Sequence, residues 1–164
     1  VAGLGNVTRH EVNAISNTVL TTRNLRDIVP LFALLSQTGV SEMQLWNYFP
    51  MGPTDPAGMI VGLGALAALL PELATVAARA GKPVVLKSFP QCLGAGEPLF
   101  FDSLFPVTAL PDRFWRQFEE CGFGQCFHRR TGQCQSWQCW GLSSAYLRRF
   151  GDERAMLRPI GAPE

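Results

Sequence analysis

The first ninety residues alternate between a hydrophobic period of two and one of about 3.6, and the alternation repeats. Val12 to Thr21 (VNAISNTVLT) is rich in β-branched residues. Val12, Ala14, Ser16, Thr18 and Leu20 share one face, and Asn13, Ile15, Asn17, Val19 and Thr21 the other, which predicts a strand. Polar residues on both faces suit an interior strand only when one face lines a polar cavity. From Asn24 the period lengthens. Ile28, Leu31, Phe32 and Leu35 mark a helical face, with Asn24 as N-cap, Asp27 as the acid of a shortened capping box, and Gly39-Val40 as a left-handed stop. Glu42 to Phe49 (EMQLWNYF) predicts a second strand, and Pro50 to Gly58 a turn-rich loop of the long kind that carries function. Leu63, Leu66, Leu70, Leu73 and Ala77 trace a second helix, kinked or restarted at Pro71 and ended by Gly81; Pro83 to Phe89 predicts a third strand.

Strand–helix–strand–helix–strand at this spacing predicts an α/β fold with parallel strands and right-handed crossovers. The architecture is either a doubly wound sheet or part of a (β/α) barrel. Three strands are too few to close a barrel, and the chain opens at Val1 in mid-pattern, so the expectation is a piece of a longer protein. In both architectures ligands gather beyond the carboxyl ends of the strands. Those ends hold Asn17, Thr21, Thr22 and Arg23, then Asn47, Tyr48 and the Pro50–Gly58 loop, then Lys87, Ser88 and Cys92.

The length suits about one domain with a sizeable core. A net charge of +1, and eight arginines against six acids from Asp112 onward, leave no footprint for nucleic acid. Arg129-Arg130 and Arg148-Arg149 read as solvated surface. The apolar stretch from Met59 to Ala80 is broken by Gly62, Gly64, Pro71 and Glu72, so no membrane span is expected. No charged start followed by an apolar stretch suggests export, and an odd cysteine count favours a reducing, cytoplasmic setting.

The chemistry lies in the cysteines. Cys121, Cys126, Cys134 and Cys139 are spaced C-x4-C-x7-C-x4-C, and Cys92 follows the third strand directly. The spacing lacks the C-x2-C knuckles with which zinc ribbons clasp one tetrahedral ion. Wide spacing with Gly122, Gly124 and Gly132 between suits sulfurs reaching around a bulkier iron–sulfur cluster held by about four thiolates. Zinc, and inert or disulfide-forming thiols, stay open as alternatives. His128, two residues past Cys126, reads as a surface or cap residue or as a further ligand. Trp137, Trp140 and the phenylalanines nearby would supply the small core of a loop-rich region. Gly62-Leu63-Gly64-Ala65-Leu66-Ala67 matches a relaxed dinucleotide fingerprint, but no acid follows at the required distance, and a glycine-started helix is the better reading.

Several segments taken together resemble the C-terminal half of a radical S-adenosylmethionine enzyme. They are Asn17 to Thr21 ahead of Asn24, Leu25 and Asp27; Leu45 to Met51; Lys87 to Leu93; and a tail running through Gly124-Gln125-Cys126, Cys134, Cys139, Gly141-Leu142, Ala145-Tyr146 and Phe150 to Glu153. The resemblance implies that residues 1–91 are the fourth to sixth strands of a partial (β/α)6 barrel. It further implies that residues 92–164 are a SPASM- or twitch-like extension holding an auxiliary 4Fe–4S cluster. By the same resemblance Cys92, Cys126, Cys134 and Cys139, with Cys121 as a fifth, would hold that cluster. Asn17, Thr21, Asn47 and Met51 would contact S-adenosylmethionine. The implied partners are a small-molecule or peptide substrate and a flavodoxin- or ferredoxin-type reductant. The family's C-x3-C-x2-C loop, which generates the 5′-deoxyadenosyl radical, is absent from this sequence, so the chain by itself is expected to be inactive. The alternative function is a zinc-binding interaction module on an α/β domain.

Overall fold

The computed structural model describes residues 2–10, 12–94, 96–103 and 110–161. After an N-terminal helix α1, Ala2–Arg9, four strands follow: β1 Ile15–Leu20, β2 Glu42–Asn47, β3 Val84–Lys87 and β4 Phe100–Phe101. All pair in parallel, in the spatial order β1-β2-β3-β4. The fold is thus α/β with a four-stranded parallel sheet. Chain order and spatial order coincide, without the reversal that defines a doubly wound sheet. Helices α2, Ile28–Ser36, and α3, Leu63–Ala80, make the crossovers.

Register explains which residues reach the core. Leu20, Met43, Leu45, Val84 and Leu86 point to one face and are buried with Ile28, Phe32 and Leu35 of α2 and Leu66, Leu70, Leu73 and Ala77 of α3. The opposite face is mixed, with Ile15, Val19, Trp46 and Val85 standing among Asn17, Glu42, Gln44 and Lys87. There Asn17 lies between Ile15 and Val19, each 50% exposed. Trp46 Nε1 donates to Gln44 Oε1 at 3.2 Å, and Gln44 Nε2 to Glu42 Oε1 at 2.6 Å. Lys87 pairs with Asp102, its Nζ 5.8 Å from the Trp46 ring centroid.

Several boundaries differ from expectation. The strands are shorter than their propensity runs, because pairing ends where partners run out. Asn24 does not cap α2. Its Oδ1 accepts from the Thr21 backbone N–H at 2.8 Å and from the Thr21 hydroxyl at 3.0 Å, holding the turn after β1, and a 3-10 turn, Leu25–Asp27, leads into the helix. Nor does Gly39 end α2, which stops at Ser36. The hydroxyls of Ser36 and Thr38 donate to Ala33 and Leu35 carbonyls at 2.8 and 2.6 Å, and Lys82 Nζ donates to the Ser36 carbonyl at 2.9 Å. Side chains therefore satisfy the last carbonyls without a left-handed glycine. Gly81, at φ +61, does end α3 as expected. That helix runs on through Pro71, which faces solvent. By length and composition α3 could cross a membrane, but it is the helix whose seven buried residues seat it in the core. Gly62 is its extended N-cap, so the glycine pair belongs to a helix start.

Beyond β3 a 3-10 turn, Gln91–Gly94, packs on α3. Gly94 is buried, and a Cβ there would stand 2.3 Å from the Phe101 ring. Gly94→Ala is therefore expected to cost roughly 1–3 kcal/mol through overpacking. Thermal melts check this, and adding Phe101→Leu should recover much of the loss.

The tail adds α4 Asp112–Glu120, α5 Phe127–Arg130, α6 Ser144–Phe150 and a 3-10 turn Arg154–Met156. Phe49, after β2, meets Phe118, Phe123 and Trp140 edge-on at 6.1, 5.1 and 5.7 Å between centroids, so a residue from the sheet region keys the aromatic core of the tail. Helix α6 is tied down twice. The Tyr146 hydroxyl accepts from the Leu63 N–H, the first orphan donor of α3, at 2.7 Å and donates to Glu153. Arg149 Nη1 reaches Asp55 Oδ2 at 2.5 Å, so Arg149 is a structural partner and not solvated surface.

Candidate functional site

Cys92 is placed by the 3-10 turn that follows β3. Its three companions come from a loop system built around glycines. Cys126 occupies the N-cap of α5, and Gly132, at φ +73, turns the chain after that helix. The Cys134 N–H then donates to the His128 carbonyl at 3.0 Å, and the Gln135 N–H to the Ile160 carbonyl at 2.8 Å. Cys139 returns with its N–H donating to Ser136 Oγ at 3.3 Å. Two short cross-links, from the Gly124 N–H to Trp140 O at 2.7 Å and from the Gln125 N–H to Leu142 O at 3.0 Å, lay the Cys126 and Cys139 stretches side by side. Gly141 makes that approach possible. At φ +72, a Cβ there would lie 3.4 Å from both the Cys126 Cβ and the Gly124 Cα.

The result is one small cavity of about 20 Å³, bordered by Cys92, Cys126, Cys134 and Cys139 and partly open to solvent. Arg129, Arg158, Leu142 and Leu157 complete much of its wall. Burial pushes the Cys92 thiol above its usual range; the backbone N–H of Arg158 opposes this, and the thiols of Cys139, Cys126 and Cys134 add to the rise. The four sulfurs therefore share one electrostatic environment. The Gly141 N–H donates to Cys139 Sγ at 3.3 Å, and Arg129 donates to the carbonyls of Ser136 and Cys139, bracing the loop. Arg129 is thus engaged, where the sequence reading left it as surface. All five cysteines are free thiols.

Cys121 lies elsewhere. It is fully buried after α4, its Sγ donating to the Pro50 carbonyl at 3.3 Å and the Gln117 carbonyl at 3.4 Å. Burial chiefly raises its thiol as well. It pins the loop after β2 to the tail and does not border the cavity. His128 is also engaged away from the sulfurs. Its Nε2–H donates to the Leu157 carbonyl at 3.1 Å, and the Gln133 amide lies 2.9 Å from Nδ1.

Among the described residues, no group of three or more His, Cys, Asp or Glu stands in position to hold a metal ion. The four cysteines surround a space without converging on a point. A single tetrahedral zinc with Zn–S near 2.3 Å needs sulfurs roughly 3.8 Å apart. A four-iron cube carries its thiolates on outer corners and holds them wider. Four thiols around one cavity are donors of the type that either a zinc ion or an iron–sulfur cluster takes.

A second cavity adjoins the first and shares Pro90, Gly141 and Leu142 with it. Asn47 and Ser88 border it from the ends of β2 and β3. Asn47 Nδ2 donates to the Ser88 carbonyl at 3.3 Å, while Asn47 Oδ1 and Ser88 Oγ are buried without a hydrogen-bond partner. Ser88 also holds φ +61, a conformation that side chains rarely adopt. The other positions expected to contact a cofactor line neither cavity. Asn17 is exposed on the sheet face away from α2 and α3, Thr21 is bound to Asn24, and Met51 is 42% exposed in its loop.

Sequence alone places Ser88 at the end of the third strand and Gly141 in the cysteine-rich tail without giving either a role, and gives no sign of Arg158. Gly141 follows Cys139 by two, a spacing that hands its N–H back to the sulfur. Ser88 carried no local signal, since nothing in Lys87-Ser88-Phe89 announces a positive φ. Comparison with protein-family models, curated proteins and solved structures found no match to this chain.

Proposed function

We propose that the chain is part of a radical S-adenosylmethionine enzyme, in which residues 92–164 hold an auxiliary iron–sulfur cluster against the carboxyl ends of a partial (β/α) barrel. The observation that carries this reading is the meeting of Cys92, from the end of the third long strand, with Cys126, Cys134 and Cys139 around one cavity. Unreversed strand order, with α2 and α3 both on one face, supports a barrel segment over a doubly wound sheet. The polar residues of the opposite face, Asn17, Gln44 and Lys87, suit a barrel lumen, although Ile15, Val19, Trp46 and Val85 share that face. When bound, the cluster would supply one-electron chemistry or a coordination site. The chain's own residues orient and screen it: the Gly141 N–H steadies Cys139 Sγ, Leu142 and Leu157 limit water, and Arg129 fixes the loop. Asn47 and Ser88 next door offer acceptors to a donor group on a substrate. The active enzyme requires a radical-generating cluster loop that this sequence does not contain.

Anaerobic reconstitution with iron and sulfide tests the proposal. A brown protein with about four irons per chain is expected. Cys92→Ala should lose most of that iron and visible absorbance, whereas Cys121→Ala should keep them. A colourless chain holding one tight zinc would favour the interaction-module reading instead, and equal iron in both variants would remove Cys92 from the site.

A further inference from the structure

We propose that the trough between α2 and α3 binds a single-headed amphiphilic anion, a fatty carboxylate or alkyl phosphate, with its head held by Arg23 and Arg26. The inference does not depend on what the sulfur cavity holds, since the two share no bordering residue. Each helix returns from the end of one parallel strand to the start of the next, so the two lie side by side and point the same way. Between them runs a trough of about 820 Å³, open to solvent along its length and within the range of small-molecule sites. Chain direction orders its lining. Thr22, Arg23, Leu25 and Arg26 stand at the end where the helices begin, as does Ala65, the third residue of α3. Val29 and Pro30 lie further along α2, Ala68 and Leu69 further along α3, and Glu72 marks the far end.

Each part of this lining matches a different part of the ligand. The middle is aliphatic. Leu25, Val29 and Leu69 are buried or half-buried there, and Ala65 and Ala68 present only a methyl group, which leaves the space open. An alkyl chain laid along it loses contact with water, and each methylene buried tightens binding by up to about fourfold. The head end is cationic. The Arg23 guanidinium has no hydrogen bond or ion pair among the described residues, and Arg26 has Asp27 at 3.8 Å with both side chains largely in water. Guanidinium groups so placed at one mouth can take a carboxylate or phosphate between them. One acid borders the trough, Glu72, and it lies away from the arginines. Its charge repels a second anionic end, so the site selects a monoacid over the diacid of the same length.

Calorimetric titration of the full chain tests this with dodecanoate, dodecyl phosphate, dodecanedioate and dodecyltrimethylammonium, each kept below its micelle-forming concentration. The first two should bind one to one, the diacid about threefold more weakly and the ammonium about tenfold more weakly. Arg23→Gln with Arg26→Gln should lose about tenfold in dodecanoate affinity and melt at the wild-type temperature. Glu72→Gln should bring the diacid level with the monoacid. Ala68→Phe, at an exposed position, should block the trough with every charge in place. Amide NMR shifts on adding dodecanoate should centre on Val29, Ala65, Ala68 and Leu69. No dodecanoate binding, equal affinity for the acid and the ammonium, unchanged affinity in the double arginine variant, or shifts centred elsewhere would overturn the proposal. Binding to phosphatidylglycerol vesicles without binding of monomeric dodecanoate would make this face a membrane contact and overturn it as well.

Discussion

Replacing Asp55 with alanine is expected to destabilise the protein by about 3 kcal/mol, the largest effect of any single change away from the sulfurs. Its carboxylate, 2% exposed, accepts from the Met59 N–H at 3.1 Å, the Ile60 N–H at 2.9 Å and Arg149 at 2.5 Å. Removing it strands two amides and a half-buried guanidinium at once. It also frees the Pro50–Gly58 loop from α6, leaving the Thr22 hydroxyl on the Gly58 carbonyl and the Cys121 thiol on the Pro50 carbonyl as ties. Burial works to raise the Asp55 carboxyl, but the two backbone N–H groups and Arg149 outweigh it and hold it below the usual carboxylate range. A lowered folded-state value means the stabilisation is complete above the unfolded-state value, about 3.9, and disappears as pH falls through the folded one. Denaturant melts from neutral to acid pH should therefore show Asp55→Asn and wild type converging in strong acid. A gap that stays constant with pH would show that the carboxylate's charge contributes nothing.

Cys134→Ala should have the second large effect, and its location matters more than its size. If the thiolates grip a cluster, binding energy is folding energy for a tail with few buried residues of its own. Amide hydrogen exchange should then quicken at least tenfold, about 1.4 kcal/mol, at Gly124, Gln125 and Gly141, while the β1–β2–β3 ladder keeps its protection. Uniform exchange in the two proteins would mean that the cavity is a packing feature. Gains spread equally over sheet and tail would mean that the tail has no separate stability.

Much of this fold is legible along the chain because its first half obeys local rules. β-Branched residues formed β1, Met43 and Leu45 alternating with Glu42 and Gln44 formed β2, the Leu63–Ala77 stripe formed α3, and Gly81 stopped it. The misreadings share a physical cause: groups distant in sequence supplied what a local residue was expected to supply. Lys82 satisfied the end of α2 in place of Gly39, and Asn24 turned back to Thr21 because β1 needed a turn more than α2 needed a cap. Strand β4 went unnoticed because two residues, Phe100 and Phe101, carry no period at all. Helix α4 was equally unread, its face of Phe114 and Phe118 mistaken for loop packing.

From the residues alone follow the parallel α/β class, the clustering of thiols, and the emergence of Cys92 at the strand ends, since each depends on period, composition or chain order. Only the tertiary structure separated Cys121 from the other four sulfurs, left Trp137 in solvent, and set Ser88 and Asn47 beside the cavity. Those outcomes depend on which distant backbones approach each other, through Gly141 against Cys126 and Phe49 against the tail, and approach of that kind leaves no periodic trace in a sequence.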